Sequence, residues 1–185
     1  MKVSLPNFLM TELKRIDPTA EYSGHLPKIQ SSTGSTYFVK LGSSSEHEQY
    51  VGEAQSLKAI EIAAPGLAPK LFSHGQDEGG RPYFISEYKS IVGLSGNSVN
   101  MLAKRLATEL HQYKNQEGFG FNVPTFCGMT KQKNGWYRTW EDCYDSLIGT
   151  LLDGLAEHGY DDLVRTGEEV WGQYVKSARR VIVSA

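Results

Sequence analysis

The chain has 185 residues and a nearly balanced charge, with 19 Lys and Arg residues against 21 Asp and Glu residues. This balance argues against a nucleic-acid partner. No stretch approaches the ~18 consecutive apolar residues of a membrane-spanning helix, so no membrane partner is predicted. The two cysteines, Cys127 and Cys143, form no Cys-x-x-Cys pair, which predicts a cytoplasmic protein without a disulfide framework or a zinc site.

The first 90 residues are predicted to combine short strands with two helices. Phe8–Ile16 is predicted as a short helix, because Asp17 and Pro18 stop it. Residues 22–35 are rich in Gly, Ser and Pro, which indicates a loop with one short strand around Ile29. The other predicted elements are strands at Tyr37–Leu41, Leu71–Ser73 and Tyr83–Tyr88 and a helix over Glu46–Ala63.

The second half of the chain is predicted to be mainly helical. Apolar residues recur at helical spacing from Val99 to Tyr113, and residues 118–133 are predicted as a long loop. Thr139 followed by Asp142 suits the start of a helix, and a last helix is predicted from Asp161 to about Ala178. Strands followed by helices indicate an α+β chain, plausibly in two lobes.

The pairing of Lys40 with Glu53 is the most informative feature for function. Lys40 ends a strand of Phe-Val-Lys type, and Glu53 lies 13 residues later in the apolar stripe of the next helix. A carboxylate on a buried face is costly unless it is paired, and a lysine from the neighbouring strand would pair with it. In protein kinases such an ion pair holds the lysine against the phosphates of ATP. The alternative is a solvated lysine and an exposed glutamate.

A second candidate feature is the strand end formed by Ser86, Glu87 and Tyr88, just before the helices begin. It has the form of a kinase hinge, where backbone groups pair with adenine, and an ordinary edge strand entering a loop is the alternative. The segment Ser23–Pro27 holds one glycine and makes a poor phosphate cradle. None of the five histidines shares ligand spacing with another His or Cys, so no metal site is predicted.

Seven segments with characteristic residues follow one another along the chain. They are Tyr37–Lys40, Gly52–Leu57, Phe84–Tyr88, Leu102–His111, Phe119–Phe121, Cys127–Thr130 and Asn134–Trp136. Together they resemble the fructosamine kinase and ketosamine-3-kinase family, and most of all its fungal protein-ribulosamine 3-kinases. The resemblance runs from about Tyr37 to about Lys176.

This resemblance implies a protein-kinase-like fold. It implies a β-rich N-lobe over residues 1–90, with a hinge at residues 86–88, and a partial helical C-lobe over residues 91–185. Family members use ATP and Mg²⁺ to phosphorylate the 3-hydroxyl of a ketosamine, which implies ATP and a glycated protein or small ketosamine as partners.

The same resemblance implies roles for five residues. By position in the family's motifs, Lys40 binds the nucleotide phosphates and Glu53 is its partner on the helix. Ser86, Glu87 and Tyr88 match the hinge that contacts adenine. The resemblance thus gives five cofactor-binding residues and no catalytic residue.

One part of the family pattern has no counterpart in this sequence. The family's catalytic loop reads His-Gly-Asp-Leu-Trp and is followed by an Asn and an Asp that bind metal. We therefore expect an incomplete member, truncated before that loop, which lacks the catalytic Asp and the metal ligands. The alternatives are a catalytically inactive, pseudokinase-like module that binds a nucleotide or a partner, and the non-functional product of a disrupted gene.

Overall fold

The computed structural model describes residues 5–182 of the chain and the side chains of residues 5–173. The chain divides into two units, residues 1–113 and residues 114–185. Helices and antiparallel strands occur in both units, which confirms the α+β class predicted from the sequence. None of the described helices is both long enough and apolar enough to cross a bilayer.

The sheet of the first unit has five antiparallel strands in the order β1-β2-β3-β5-β4. Their bounds are Tyr22–His25 for β1, Lys28–Ser31 for β2, Thr36–Leu41 for β3, Leu71–Gln76 for β4 and Pro82–Glu87 for β5. The short strand predicted around Ile29 is confirmed as β2, but the prediction of a loop before it is wrong, because residues 22–25 form β1 and pair with β2 in a hairpin. β4 also runs further than predicted, to Gln76.

Gly24 lets the β1–β2 hairpin close. Its φ is 108°, in the left-handed region that side chains avoid. A Cβ added at Gly24 would lie 2.6 Å from the carbonyl oxygen of Lys28, which no real Cβ tolerates. The single glycine of the segment Ser23–Pro27 therefore serves the hairpin itself.

Two helices cover the two faces of this sheet. α1, Asn7–Ile16, packs on one face, and α2, His47–Ala63, packs on the other. The cluster on the α1 face includes Leu9, Leu13, Ile29, Val39 and Ile85. The cluster on the α2 face is smaller and consists of Tyr50, Ala54 and Phe84. Since side chains alternate along a strand, Lys40 of β3 lies on the α2 face, next to Phe84 of β5.

α3, Asn97–Thr108, follows in the first unit. The prediction that its apolar stripe continues to Tyr113 is wrong, because the helix ends at Thr108 and gives way to a short 3₁₀ turn. The guanidinium of Arg105 donates to the Glu109 carboxylate at 2.7 Å and to the Pro65 carbonyl oxygen at 2.8 Å. These bonds tie the end of α3 to the loop after α2.

The described part of the second unit contains two small two-stranded sheets and two long helices. β6 (Phe119–Gly120) pairs with β9 (Trp136–Tyr137), β7 (Thr125–Cys127) pairs with β8 (Thr130–Gln132), and α4 (Trp140–Glu157) and α5 (Asp161–Ile182) follow. The predicted loop over residues 118–133 thus contains short strands. The predicted helix start is confirmed, since the backbone N–H of Asp142 donates to Thr139 Oγ1 at 3.1 Å.

The two units do not coincide with the two predicted lobes. The first unit extends beyond residue 90 and includes α3. The division into two kinase lobes between residues 90 and 91, with a hinge at residues 86–88, stays a prediction.

Candidate functional site

Lys40 and Glu53, the two residues with the strongest prediction, lie together on the α2 face of the sheet. β3 supplies Lys40 and α2 supplies Glu53, and the Lys40 Nζ forms an ion pair with Glu53 Oε2. The side chains are 30% and 42% exposed, respectively, so solvent reaches the pair. Glu53 is therefore less buried than its place in the apolar stripe predicts, because α2 packs on the sheet through Tyr50 and Ala54.

Two aromatic rings complete the surroundings of the Lys40 ammonium. Its Nζ lies 4.6 Å from the ring centroid of Tyr50 and 5.3 Å from that of Phe84. Both distances are within the ~6 Å reach of a cation–π interaction. The rings are 7% and 1% exposed, so packing holds them in place. An ammonium has three N–H donors, and because Glu53 accepts from it here, further donors remain for another acceptor.

The connection between β3 and α2 fixes the distance between the two charged residues. The backbone N–H of Gly42 donates to the Pro82 carbonyl oxygen at 2.9 Å. The Glu46 carboxylate accepts from the backbone N–H of Ser43 at 2.7 Å and from its hydroxyl at 2.8 Å. These two bonds hold the pKa of Glu46 below its usual value, the backbone bond most. The turn that enters α2 is therefore well determined.

The backbone of the predicted hinge is part of the sheet. The N–H of Glu87 donates to the Lys70 carbonyl oxygen at 2.8 Å, and the N–H of Tyr88 donates to the Thr36 carbonyl oxygen at 3.0 Å. Neither N–H is therefore available to a ligand. The carbonyl oxygens, which have two lone pairs each, and the N–H groups that follow Tyr88 are the backbone groups left for recognition.

The three hinge side chains do not share one face. Ser86 is buried on the face of Lys40, opposite Phe38 of β3. Glu87 pairs with Tyr37 instead, so its side chain lies on the α1 face. Its carboxylate accepts from Lys89 Nζ at 2.6 Å, and this bond is the main reason that the pKa of Glu87 lies below its usual value. The structure thus brings Ser86, but not the Glu87 carboxylate, to the face of Lys40.

Two further features bear on what the chain could bind. Among the residues with described side chains, no three His, Cys, Asp or Glu residues are close enough to hold a metal ion. A shallow hollow of about 330 Å³ is lined by residues from β1, β2 and the turn before β3, and includes none of the five predicted site residues. We place the candidate site at Lys40, because its ammonium has defined partners there and none of the five predicted site residues lines the hollow.

The sequence did not identify Tyr50 and Phe84 as parts of the site. Tyr50 lies one helical turn before Glu53, so its place beside the pair was open to inference from the spacing. Phe84 faces Lys40 only because β3 and β5 pair in the observed register. A single sequence does not specify that register.

Comparisons with known proteins agree with this architecture. The fructosamine kinase family model matches residues 19–180. The chloroplastic protein-ribulosamine 3-kinase of Arabidopsis thaliana is 34% identical over 135 residues, which are 72% of this chain and 40% of that protein. The chain therefore spans well under half the length of that relative.

Two solved bacterial structures assigned as fructosamine-3-kinases share the fold. The structure from Thermobifida fusca has a TM-score of 0.69 at 17% identity, and the match covers 94% of this chain and 63% of the Thermobifida chain. The structure from Haemophilus somnus has a TM-score of 0.62 at 21% identity, and the match covers 83% of this chain and 52% of the Haemophilus chain. These likenesses confirm the predicted protein-kinase-like fold. On the match of its family model, this chain belongs to the fructosamine kinase family.

Proposed function

We propose that this chain supplies the nucleotide-anchoring part of an ATP-dependent ketosamine kinase. One observation carries the proposal: the Lys40 ammonium is fixed by the Glu53 carboxylate and by the rings of Tyr50 and Phe84, yet it keeps donors for a ligand. A cation held in this way suits the phosphate oxygens of a nucleotide, which accept strong charge-assisted hydrogen bonds. The membership of a kinase family makes ATP the expected nucleotide.

The role of Lys40 follows from the chemistry of phosphoryl transfer. The sugar hydroxyl oxygen forms a bond to the γ-phosphorus, the bond from that phosphorus to the bridging oxygen breaks, and ADP leaves with the electron pair. The hydroxyl proton passes to a base, a role that we assign to no described residue. Lys40 would hold the α- and β-phosphates and offset the negative charge that develops on ADP. Glu53 would keep the ammonium in position.

The predicted hinge would hold the adenine ring of ATP through backbone groups. Because the N–H groups of Glu87 and Tyr88 are used within the sheet, adenine would pair with a carbonyl oxygen of this segment and with an N–H beyond Tyr88. Ser86 would lie on the same face as Lys40, beneath the nucleotide. The Glu87 side chain would take no part.

Magnesium enters this proposal only as the usual companion of ATP. When bound, Mg²⁺ neutralises charge on the phosphates during transfer. Among the described side chains, no three His, Cys, Asp or Glu residues lie close together, and we assign none of the described residues to the ion. The second candidate function is a module that binds a nucleotide without transferring its phosphate.

The substrate and the compartment are proposed from the name of a relative and from the cysteines. We take a ketosamine, as a small molecule or on a glycated protein, from the name of the Arabidopsis relative. The two cysteines, which are both free thiols, suit the reducing cytoplasm. A tagged protein observed in a plastid would contradict that compartment.

The nucleotide proposal is testable by titrating ATP into the 185-residue chain in a calorimeter. We expect saturable binding, and we expect Lys40→Met to weaken it roughly ten- to a hundredfold, the effect of losing a charge-assisted hydrogen bond. The matched control is Lys104→Met, the same change at an exposed lysine of α3. It should alter the affinity by less than about twofold, since it removes a surface charge alone.

Two results would separate the candidate functions. ATP binding together with ATP-dependent phosphorylation of a ribulosamine would support a complete kinase, whereas binding without turnover would support the binding module. Equal affinities for the wild type and Lys40→Met would contradict the role of Lys40. Circular dichroism of each variant shows whether the fold is retained.

A further inference from the structure

A second lysine lies on the same face of the sheet as Lys40. Lys28 is the first residue of β2, directly after the tip of the β1–β2 hairpin. The strand register places it opposite Phe38 of β3, and Phe38 lies opposite Ser86 of β5. Residues that face each other across antiparallel strands share a face, so Lys28, Phe38 and Ser86 form a row beside Lys40. This row ends at the predicted hinge.

The side chain of Lys28 extends along this row to the hinge. Its Nζ lies 4.7 Å from the ring centroid of Tyr88, the last residue of the predicted hinge. Lys28 is exposed, and Tyr88 is partly buried. The ammonium therefore sits on an aromatic face at the place where the backbone would pair with a base.

Lys28 also differs from Lys40 and Lys89 in its partners. Lys40 is paired with Glu53, and Lys89 is paired with Glu87. Among the side chains of residues 5–173, no carboxylate forms an ion pair with Lys28. Within that part of the chain, the Lys28 ammonium contacts the Tyr88 ring and is exposed to solvent, so a ligand can bind it without breaking an ion pair.

We propose that Lys28 is a second nucleotide-binding cation, and that its ammonium contacts the purine ring of ATP beside the hinge. This inference rests on the proposed function, because it names a further residue of the same site. A purine offers a π-face much as tyrosine does, so the ammonium can rest on the base as it rests on Tyr88. Lys40 anchors the phosphates, and Lys28 selects a ligand that carries a base.

The competing explanation is structural. The contact between Lys28 and Tyr88 joins β2 to the end of β5, and it could serve only to strengthen the sheet. In that case, removal of the charge would lower the thermal stability and leave the nucleotide affinity unchanged. A comparison of two ligands, one with a base and one without, separates these roles.

The experiment titrates ATP and inorganic tripolyphosphate into the wild type, Lys28→Met, Lys28→Arg and Lys40→Met. Methionine keeps the apolar stem of Lys28 and removes the charge. We expect Lys28→Met to weaken ATP binding about five- to tenfold, as for a partly desolvated cation–π contact, and to leave tripolyphosphate binding within about twofold. Lys28→Arg should retain most of the ATP affinity, and Lys40→Met should weaken the binding of both ligands.

Other outcomes overturn the inference in distinguishable ways. An equal loss of both ligands in Lys28→Met would place Lys28 at the phosphates and contradict the contact with the base. Unchanged affinities with a lower melting temperature would make Lys28 a purely structural residue, while the proposed function would stand. If the folded wild type bound neither ligand, the proposed function would fail, and this inference would fail with it.

Discussion

Single carboxylates close the turns that hold the sheet in register, and Asp77 is the clearest case. Its Oδ1 accepts from the backbone N–H of Arg81 at 2.8 Å and from that of Gly79 at 3.0 Å, and its Oδ2 accepts from Arg81 Nε at 2.8 Å. The backbone bond from Arg81 is the largest of the effects that hold the pKa of Asp77 below its usual value. Asp77 thus joins β4 to β5, the strand that supplies Phe84.

The lowered pKa of Asp77 predicts a dependence of stability on pH. A carboxyl group with a lower pKa in the folded state stabilises the fold above its unfolded pKa of about 4, and this contribution is lost as the pH falls through the folded pKa. We therefore expect Asp77→Asn to lower the melting temperature at pH 7, and the difference from the wild type to shrink as the pH falls below about 4. Circular dichroism melts across this range measure it.

The control for this prediction is Glu78→Gln, which removes a charge from the exposed neighbouring residue in the same turn. It should change the melting temperature little at any pH. A difference between the wild type and Asp77→Asn that stays constant down to pH 3 would show that ionised Asp77 contributes nothing specific to the turn.

At the residue scale, the sequence predicted the central pair but not its surroundings. Lys40 at a strand end and Glu53 in the apolar stripe of the next helix indicated the pair, and the structure shows the ion pair. The contact of Lys28 with Tyr88 could not be predicted from the sequence, because it depends on two strand registers and on the β1–β2 hairpin. The spacing of residues along the chain indicates local conformation, whereas this contact depends on how the strands pair across the sheet.

At the scale of elements, the turn from β3 to α2 controls the site. Gly42 is in close contact with the neighbouring element: a Cβ added there would lie 2.8 Å from the Tyr50 ring and 3.0 Å from Pro82 Cγ. The Tyr50 ring is the closer of the two rings that surround the Lys40 ammonium. A displacement of the Tyr50 ring would therefore change the surroundings of the Lys40 ammonium directly.

Gly42→Ala tests this coupling between the turn and the site. We expect a loss of about 1–3 kcal/mol in the free energy of unfolding, because the added methyl group overpacks the Tyr50 ring. We also expect weaker ATP binding in the variant, since the ring no longer lies in place beneath Lys40. Chemical denaturation and calorimetry measure the two effects.

Gly93→Ala is the matched control, because an added Cβ at Gly93 meets no atom within 4 Å. Its stability should stay within about 0.5 kcal/mol of the wild type. If Gly42→Ala were as stable as Gly93→Ala and bound ATP normally, the close packing of Gly42 against Tyr50 would have no functional consequence.

Elements with strong local patterns were predicted from the sequence, and elements that depend on pairing were not. α1 and α2 carry regular apolar spacing and clear stop signals, and the observed helices agree with those predictions. The β1–β2 hairpin was missed because Gly and Pro residues in a short segment indicate a loop equally well. The strands of the second unit have two or three residues each, too few to show an alternating pattern.

At the scale of the whole molecule, the first unit has buried clusters on both faces of its sheet, while burial elsewhere is sparse. No described residue of α3 is buried, and of the described residues in α4 only Cys143 is. An apolar stripe shows which face of a helix is apolar, and it does not show whether another element covers that face. The degree of burial in the helical half could therefore not be predicted from the sequence.

The most direct test of the central claim is a double-mutant cycle on ATP affinity with Lys40→Met, Glu53→Gln and the combined variant. If the ion pair acts as one nucleotide-anchoring unit, Glu53→Gln should weaken ATP binding in the wild type and have little effect once Lys40 is replaced, with a coupling energy of about 0.5 kcal/mol or more. The same loss from Glu53→Gln in both backgrounds would show that the carboxylate does not act through Lys40, and would contradict the account.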